Sequence, residues 1–169
     1  MKEIIYVLFL PLLFANIIHM FLVKVNLLKW MKIPIHKELF GENKTYRGFV
    51  IVISLTGLLS YIGTYFTDNY DQFLGFKYGC LLGFAYVFFE LPNSYFKRRM
   101  GIAPGTSPTK NKLLFNLLDK TDSTFGVCFS YTLMTDLSWI NGGWVFLISV
   151  STHVLISILL VKLKVKKSF

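Results

Sequence analysis

The chain has 169 residues, of which 54% are hydrophobic and 16% are charged. A soluble domain carries about 25% charged residues, so this composition excludes an ordinary soluble domain and indicates an integral membrane protein. The length suits one domain covering residues 1–169. The net charge of +9 becomes informative only through its distribution along the sequence.

Five apolar runs are long enough to cross a bilayer, which requires about 20 mostly apolar residues. Each run is predicted to be a helix, because the unpaired edge of a sheet has no hydrogen-bonding partners in lipid. The sequence therefore predicts an all-α, polytopic membrane protein with about five transmembrane helices. The five runs are approximately 4–23, 48–67, 73–96, 123–140 and 143–163.

The basic residues are concentrated in alternate connections. Of the 18 Lys and Arg residues, six lie in the loop 24–47, six in the loop 97–122 and four in the C-terminal tail. The short connections near 68–72 and 139–143 hold none. Under the positive-inside rule, both basic loops and the C-terminus face the cytoplasm, and the N-terminus faces outside. We therefore expect a plasma-membrane protein that meets its soluble ligand on the cytoplasmic side.

The first polar motif, Gly41-Glu-Asn-Lys-Thr-Tyr-Arg-Gly48, directly precedes the second apolar run. Lys44, Thr45 and Arg47 suit a phosphate group there, because the first turn of a helix presents unpaired N–H groups. A P-loop is excluded, since neither position that this motif reserves for glycine holds one. The alternative interpretation is an anchor of basic and aromatic side chains at the membrane surface.

The second polar motif begins with Glu90, about two helical turns before the cytoplasmic end of the third run. An ionisable group inside a span costs roughly 2.5–3.5 kcal/mol and is a functional candidate by default. Ser94 and Lys97 follow on the same helical face, and Pro92 predicts a kink or a broken turn. The alternative is a glutamate paired with a neighbouring lysine for packing alone.

The third polar motif places Asp119 and Asp122 three residues apart, on one helical face at the start of the fourth run. Two carboxylates beside many cations fit Mg²⁺, which proteins usually hold with one or two carboxylates plus substrate phosphates. The alternative is that Asp122 caps the N-terminus of the fourth helix. His19 and His153 lie inside apolar runs and are interpreted as packing residues.

Together the three motifs resemble the CDP-archaeol synthase family, whose members are five-span cytidylyltransferases related to CDP-diacylglycerol synthases. The family pattern Gly-x-x-Lys-Thr-Trp/Tyr-Arg-Gly matches residues 41–48, and Asp-Leu-x-x-Ser-Phe-x-Lys-Arg-Arg is similar to residues 90–99. The pattern Leu-Asp-Gln-x-Asp is similar to residues 118–122. The chain departs from the family at Glu90, where the pattern has Asp, and at Lys120, where it has Gln.

The resemblance implies a Mg²⁺-dependent CTP:lipid-phosphate cytidylyltransferase of phospholipid biosynthesis, which forms a CDP-lipid and pyrophosphate. The implied partners are CTP, a membrane lipid phosphate and the bilayer, with no nucleic acid; a homodimer is left open. The implied site has catalytic cations Lys44, Arg47, Lys97 and Arg98, substrate-binding residues Thr45, Asn93, Ser94 and Arg99, and metal ligands Glu90, Asp119 and Asp122.

Two other functions remain alternatives: a non-catalytic or degenerate family member, and a small membrane transporter. Transporters are often built from inverted repeats and place polar residues at the middle of the membrane. Here the polar residues gather in the loops on one side, and no internal repeat is visible. This distribution favours an enzyme that works at the membrane surface.

Overall fold

The computed structural model describes residues 2–67, 71–106 and 112–163. Within these ranges the protein is all-helical and forms no β-strand, which confirms the all-α part of the predicted fold class. A π-helical segment, Ile4–Phe9, leads into the first α-helix, and 3₁₀ turns occupy Lys29–Met31 and Thr64–Phe66. The α-helices are α1 (Leu10–Lys24), α2 (Lys37–Phe40), α3 (Tyr46–Gly63), α4 (Gln72–Arg99), α5 (Lys112–Met134) and α6 (Trp139–Lys162). Lys110 and the tail lysines at 164, 166 and 167 lie outside the described residues.

Four helices in the described part of the chain are long and apolar enough to cross a membrane: Ile4–Lys24, Tyr46–Phe66, Gln72–Arg99 and Trp139–Leu159. Large apolar side chains cover their outer surfaces; Phe73 is 64% exposed and Ile140 is 77% exposed. Because soluble proteins rarely expose extended apolar surface, this exterior fits a lipid environment. Helix α5 has 23 residues but is not among the four, since charged residues interrupt it.

Helices α3 and α4 approach each other closely along a face of small residues. A Cβ atom added to Gly79 would lie 2.6 Å from the Thr56 carbonyl oxygen and 2.6 Å from the Ser60 side chain. Gly75 and Gly83 make similarly close approaches to α3. Small residues let helix backbones approach in this way. This contact fixes the segment before α3 relative to the last turns of α4.

The long helices alternate in direction. The Ser60 hydroxyl donates to the Val7 carbonyl at 2.8 Å, which joins the end of α3 to the start of the first helix. The Tyr78 hydroxyl donates to the Met134 carbonyl at 3.2 Å, which joins the start of α4 to the end of α5. The alternation brings the C-terminal ends of α1, α4 and α6 beside the N-terminal ends of α3 and α5. We call this end of the bundle the polar end.

The predicted fourth span, 123–140, is wrong at its C-terminal end. Helix α5 begins at Lys112, eleven residues before the predicted span, and stops at Met134, so the connection to α6 is 135–138. Hydropathy does not mark the first half of α5, where Asp119 and Lys120 line a cavity. Asp119 therefore lies inside the helix, about two turns from its start.

The helix bounds also exclude an Asp122 cap and, of the two alternatives at Pro92, the broken turn. The capping role of Asp122 is excluded, because α5 begins ten residues before it. The broken turn expected at Pro92 is absent, and α4 runs without interruption through this residue. A proline removes a single N–H donor, and the rest of this 28-residue helix continues around it.

Candidate functional site

A cavity of about 630 Å³ opens at the polar end, and we call it the polar cavity. All five long helices contribute to its wall, and its size falls in the roughly 300–1,000 Å³ range of ligand sites. Its lining includes four cations and three acids. These are Lys32, Lys44, Arg47 and Lys120, and Glu42, Glu90 and Asp119. A cavity with so many charges suits a charged ligand.

Backbone pairing holds the segment before α3 at the rim of the polar cavity. The Ile35 N–H donates to the Lys44 carbonyl at 2.9 Å, and the Tyr46 N–H donates to the Ile33 carbonyl at 3.0 Å. Two extended pieces of the first loop are thereby joined just before the helix begins. Thr45 then caps α3, where its hydroxyl oxygen accepts from the backbone N–H three residues later at 3.3 Å. The predicted helix start at this motif is confirmed.

Lys44 and Glu90 form an ion pair between this segment and α4. Burial lowers the pKa of Lys44, but the charge and hydrogen bond of Glu90 and the nearby charges of Asp122 and Asp119 raise it, and the resulting pKa lies above its usual value. The ammonium group is therefore protonated at neutral pH. The contact agrees with the packing interpretation of Glu90, yet both side chains also line the polar cavity and are 24% exposed.

Asp119 and Asp122 lie on one face of α5, opposite Asn93 of α4. The Asn93 amide nitrogen donates to Asp119 Oδ1 at 2.6 Å and to Asp122 Oδ2 at 2.9 Å. Lys97, which is buried, forms an ion pair with Asp119. Two carboxylates thus converge on a single nitrogen atom. The structure brings together four residues that the sequence assigned to the site.

The carboxylates have the chemistry that Mg²⁺ requires, although they pair with protein groups in this arrangement. Within the described residues, no three His, Cys, Asp or Glu side chains are grouped to hold a metal ion. Mg²⁺ commonly takes only one or two carboxylates, and substrate phosphates and water complete its shell. Asp119 and Asp122 fit this requirement because their oxygens approach a common point. Glu90 also lines the cavity, but it forms an ion pair with Lys44 instead.

Arg47 lines the polar cavity and has a second contact with the protein. Its Nη1 donates to the Leu27 carbonyl at 3.0 Å and fastens the loop after α1 to the start of α3. The side chain is 4% exposed, and its Nε–H is buried without a partner among the described residues. Arg47 therefore positions the loop, and its buried Nε–H remains an unpartnered donor within the described structure.

Six of the predicted site residues do not line the polar cavity: Asn93, Ser94, Lys97, Arg98, Arg99 and Asp122. The Ser94 hydroxyl donates to a backbone carbonyl one turn earlier in its own helix. Arg98 packs beside Gly41, with Nε and Nη1 buried and unpartnered in the described structure. Arg99 is exposed and lies over the Tyr95 ring, 5.9 Å from its centroid. In this geometry the side chains of Ser94, Arg98 and Arg99 do not contact a ligand in the cavity.

The cavity also contains polar residues that the sequence did not select. His19 and His153 line it, although their positions in apolar runs suggested packing roles. The Asn16 amide donates to the Tyr86 hydroxyl at 3.0 Å near the same wall. Lys120 is 3% exposed and lines the cavity beside Asp119. The only available signal was the presence of polar groups at positions otherwise surrounded by apolar residues.

The three polar motifs meet in the wall of one cavity although they are far apart in the sequence. Lys44 comes from the first motif, Glu90 from the second and Asp119 from the third. Comparison of the chain with protein-family models, with curated protein sequences and with solved structures finds no match.

Proposed function

We propose that this protein is a CTP-dependent cytidylyltransferase that converts a membrane lipid phosphate into a CDP-lipid, with release of pyrophosphate. The observation that carries the proposal is the convergence of Lys44, Glu90 and Asp119 on one polar cavity. Cations for phosphate and carboxylates for Mg²⁺ are the two groups that such a reaction requires.

The proposed arrangement has five membrane spans, with α5 as the fifth spanning helix. Its polar face, with Asp119 and Lys120, meets the cavity, while Phe125 and Leu133 are 51% and 61% exposed on its outer surface. The basic polar end would face the cytoplasm under the positive-inside rule, and the N-terminus would face outside. This orientation in the plasma membrane gives cytosolic CTP direct access to the polar cavity.

The triphosphate of CTP would bind at the start of α3. Lys44 is protonated, and Arg47 has an unpartnered Nε–H within the described structure. The N-terminus of α3 adds backbone N–H donors and the positive end of the helix dipole. These groups offset the negative charge that grows on the leaving pyrophosphate.

Asp119 and Asp122 would hold Mg²⁺ on the triphosphate, with Glu90 as a further ligand from α4. The bound Mg²⁺ would neutralise phosphate charge and orient the reacting groups. In the free protein, lysine and amide groups stabilise the same carboxylates. Binding of a metal–triphosphate complex would exchange partners, so that Lys44 turns to phosphate while Glu90 turns to the metal.

The reaction joins an oxygen of the lipid phosphate to the α-phosphorus of CTP. The bond between the α-phosphorus and the oxygen that links it to the β-phosphorus breaks, and its electron pair leaves on pyrophosphate. No covalent intermediate with the protein is required. The contribution of the chain is positioning and electrostatic stabilisation of the shifting phosphate charge, as in phosphoryl transfer.

Purified protein in phosphatidylcholine vesicles should form CDP-lipid from CTP and at least one member of a panel of lipid phosphates when Mg²⁺ is present. Asp119→Asn should abolish turnover, since it removes a charge that pairs with Mg²⁺. Asp71→Asn is the matched control, because Asp71 caps α4 at the opposite end of the bundle and asparagine also caps helices well. Full activity of Asp119→Asn would refute the metal role.

A further inference from the structure

We propose that the acceptor lipid enters sideways between α1 and α6, with its phosphate at Lys120 and its hydrocarbon chain in an apolar crevice between these helices. The inference deepens the proposed function, on which it rests, by assigning the acceptor a site separate from that of CTP. The ligand class is a phosphomonoester with a long alkyl, acyl or prenyl chain.

A second, smaller cavity of about 70 Å³ lies next to the polar cavity, and we call it the apolar crevice. The two share four lining residues: Asn16, Tyr86, His153 and Ile156. One group of side chains therefore forms a wall of both spaces. A ligand with a polar head and an apolar tail could occupy both at once.

The apolar crevice lies where the bundle is least closed. Helix α6 packs along α5, and α1 packs along α3, but α1 and α6 make no comparable contact with each other. Residues of α1 and α6 line the crevice, including Leu12 and Leu13 of α1 and Thr152 and Ile156 of α6. In a bilayer, the gap between α1 and α6 would open to the lipid chains.

The polar groups of the apolar crevice are largely satisfied by the protein itself. The Thr124 hydroxyl donates to the Lys120 carbonyl at 2.8 Å, and the Thr152 hydroxyl donates to the Ile148 carbonyl at 2.9 Å. The Asn16 amide donates to Tyr86. With these groups bonded, the crevice presents mainly carbon atoms, which suit a hydrocarbon chain.

Lys120 supplies a cation at the junction of the two spaces. It lies one helical turn before Thr124, which lines the apolar crevice, while Lys120 itself lines the polar cavity with His153 and Ser157. Its side chain is 3% exposed. A buried ammonium forms strong charge-assisted hydrogen bonds with phosphate oxygens. Because Asp119 and Lys120 both line the polar cavity, a phosphate at Lys120 would share this cavity with the proposed Mg²⁺ site.

The position of the apolar crevice favours a lipid over a soluble phosphate ester. Its volume of about 70 Å³ accommodates only the first carbons of a chain. The remainder of the chain must continue between α1 and α6 into the bilayer. A soluble ester such as glycerol phosphate would gain nothing from this route.

Photolabelling tests this site directly. The probe is a phosphatidic acid with a diazirine near the start of one acyl chain, incorporated into phosphatidylcholine vesicles with the purified protein. After irradiation, mass spectrometry should find the label on peptides of α1 and α6. Unlabelled phosphatidic acid should compete, whereas glycerol phosphate should not. Label spread over all helices, or label that glycerol phosphate displaces, would overturn the proposal.

Two variants separate the head site from the chain site. Lys120→Gln should lower probe affinity roughly tenfold or more, the cost of losing a charge-assisted hydrogen bond, and Lys77→Gln in α4 is its control. Thr152→Trp should block the apolar crevice and reduce labelling similarly. Its control is Ser151→Trp, because Ser151 is exposed on another face of α6. Wild-type labelling of both Lys120→Gln and Thr152→Trp would refute the site.

Binding of radiolabelled CTP, measured on the same samples, reports folding and distinguishes this proposal from the proposed function. Thr152→Trp should bind CTP as the wild type does, while losing lipid label, because Thr152 lines the apolar crevice and not the polar cavity. Specific lipid labelling without any CDP-lipid formation would support the site and contradict the enzyme. CDP-lipid formation with no label on α1 or α6 would support the enzyme and contradict the site.

Discussion

Gly79→Ala should destabilise the protein by disturbing the contact between α3 and α4. The added Cβ would lie 2.6 Å from the Thr56 carbonyl oxygen and from the Ser60 side chain, whereas ordinary contacts begin near 3.4 Å. The two helices must therefore separate by about 1 Å, and overpacking of this kind costs roughly 1–3 kcal/mol. In a chain of this length, each kcal/mol shifts the melting temperature by about 2–4 °C.

The measurement is thermal unfolding in detergent, followed by the reaction of a thiol-specific dye with the cysteines that become exposed. Gly143→Ala in α6 is the matched control, because its added Cβ would meet no atom within 4 Å in the described structure. Both variants gain the higher helix propensity of alanine, so their difference isolates the steric effect. Equal melting temperatures for Gly79→Ala and Gly143→Ala would refute the close packing of α3 on α4.

Other predictions address the site and the orientation. Lys44→Met should raise KM for CTP roughly tenfold or more through the lost charge-assisted contact, whereas Lys37→Met, whose side chain is 71% exposed, should leave KM unchanged in the same assay. Chelation of divalent cations with EDTA should abolish turnover, and excess Mg²⁺ should restore it; activity in EDTA would contradict the metal role. A cysteine at position 110 should react with an impermeant thiol reagent only from the cytoplasmic side of sealed vesicles, and labelling from outside would reverse the proposed orientation.

The helices were largely predictable, because apolar runs of spanning length have few alternatives to helix in lipid. The main error was α5, whose first half is too polar for a hydropathy pattern. Its Asp119 and Lys120 face an internal cavity instead of lipid, and such tertiary context is invisible in a one-dimensional profile. The glycine face of α4 was likewise recognisable only once Thr56 and Ser60 were seen opposite it.

The sequence predicted only part of the cavity lining, because five of the eleven residues it assigned to the site line the polar cavity. Lys44, Glu90 and Asp119 were selected from motifs and do line one cavity. Their pairing was not predictable, because it depends on how α3, α4 and α5 pack. Arg98 was selected from the same cluster as Lys97, yet the helix turns it beside Gly41 and away from the cavity. A run of adjacent cations on a helix necessarily points in different directions.

The central claim, transfer of a cytidylyl group to a lipid phosphate, is tested most directly by following the two ends of CTP separately. The protein in vesicles that contain Mg²⁺ and a panel of lipid phosphates is supplied with CTP labelled at either the α- or the γ-phosphate. We expect the α-label in a lipid product and the γ-label in pyrophosphate, in equal amounts. Absence of α-label from lipid for every acceptor, or release of γ-label as inorganic phosphate alone, would contradict the account.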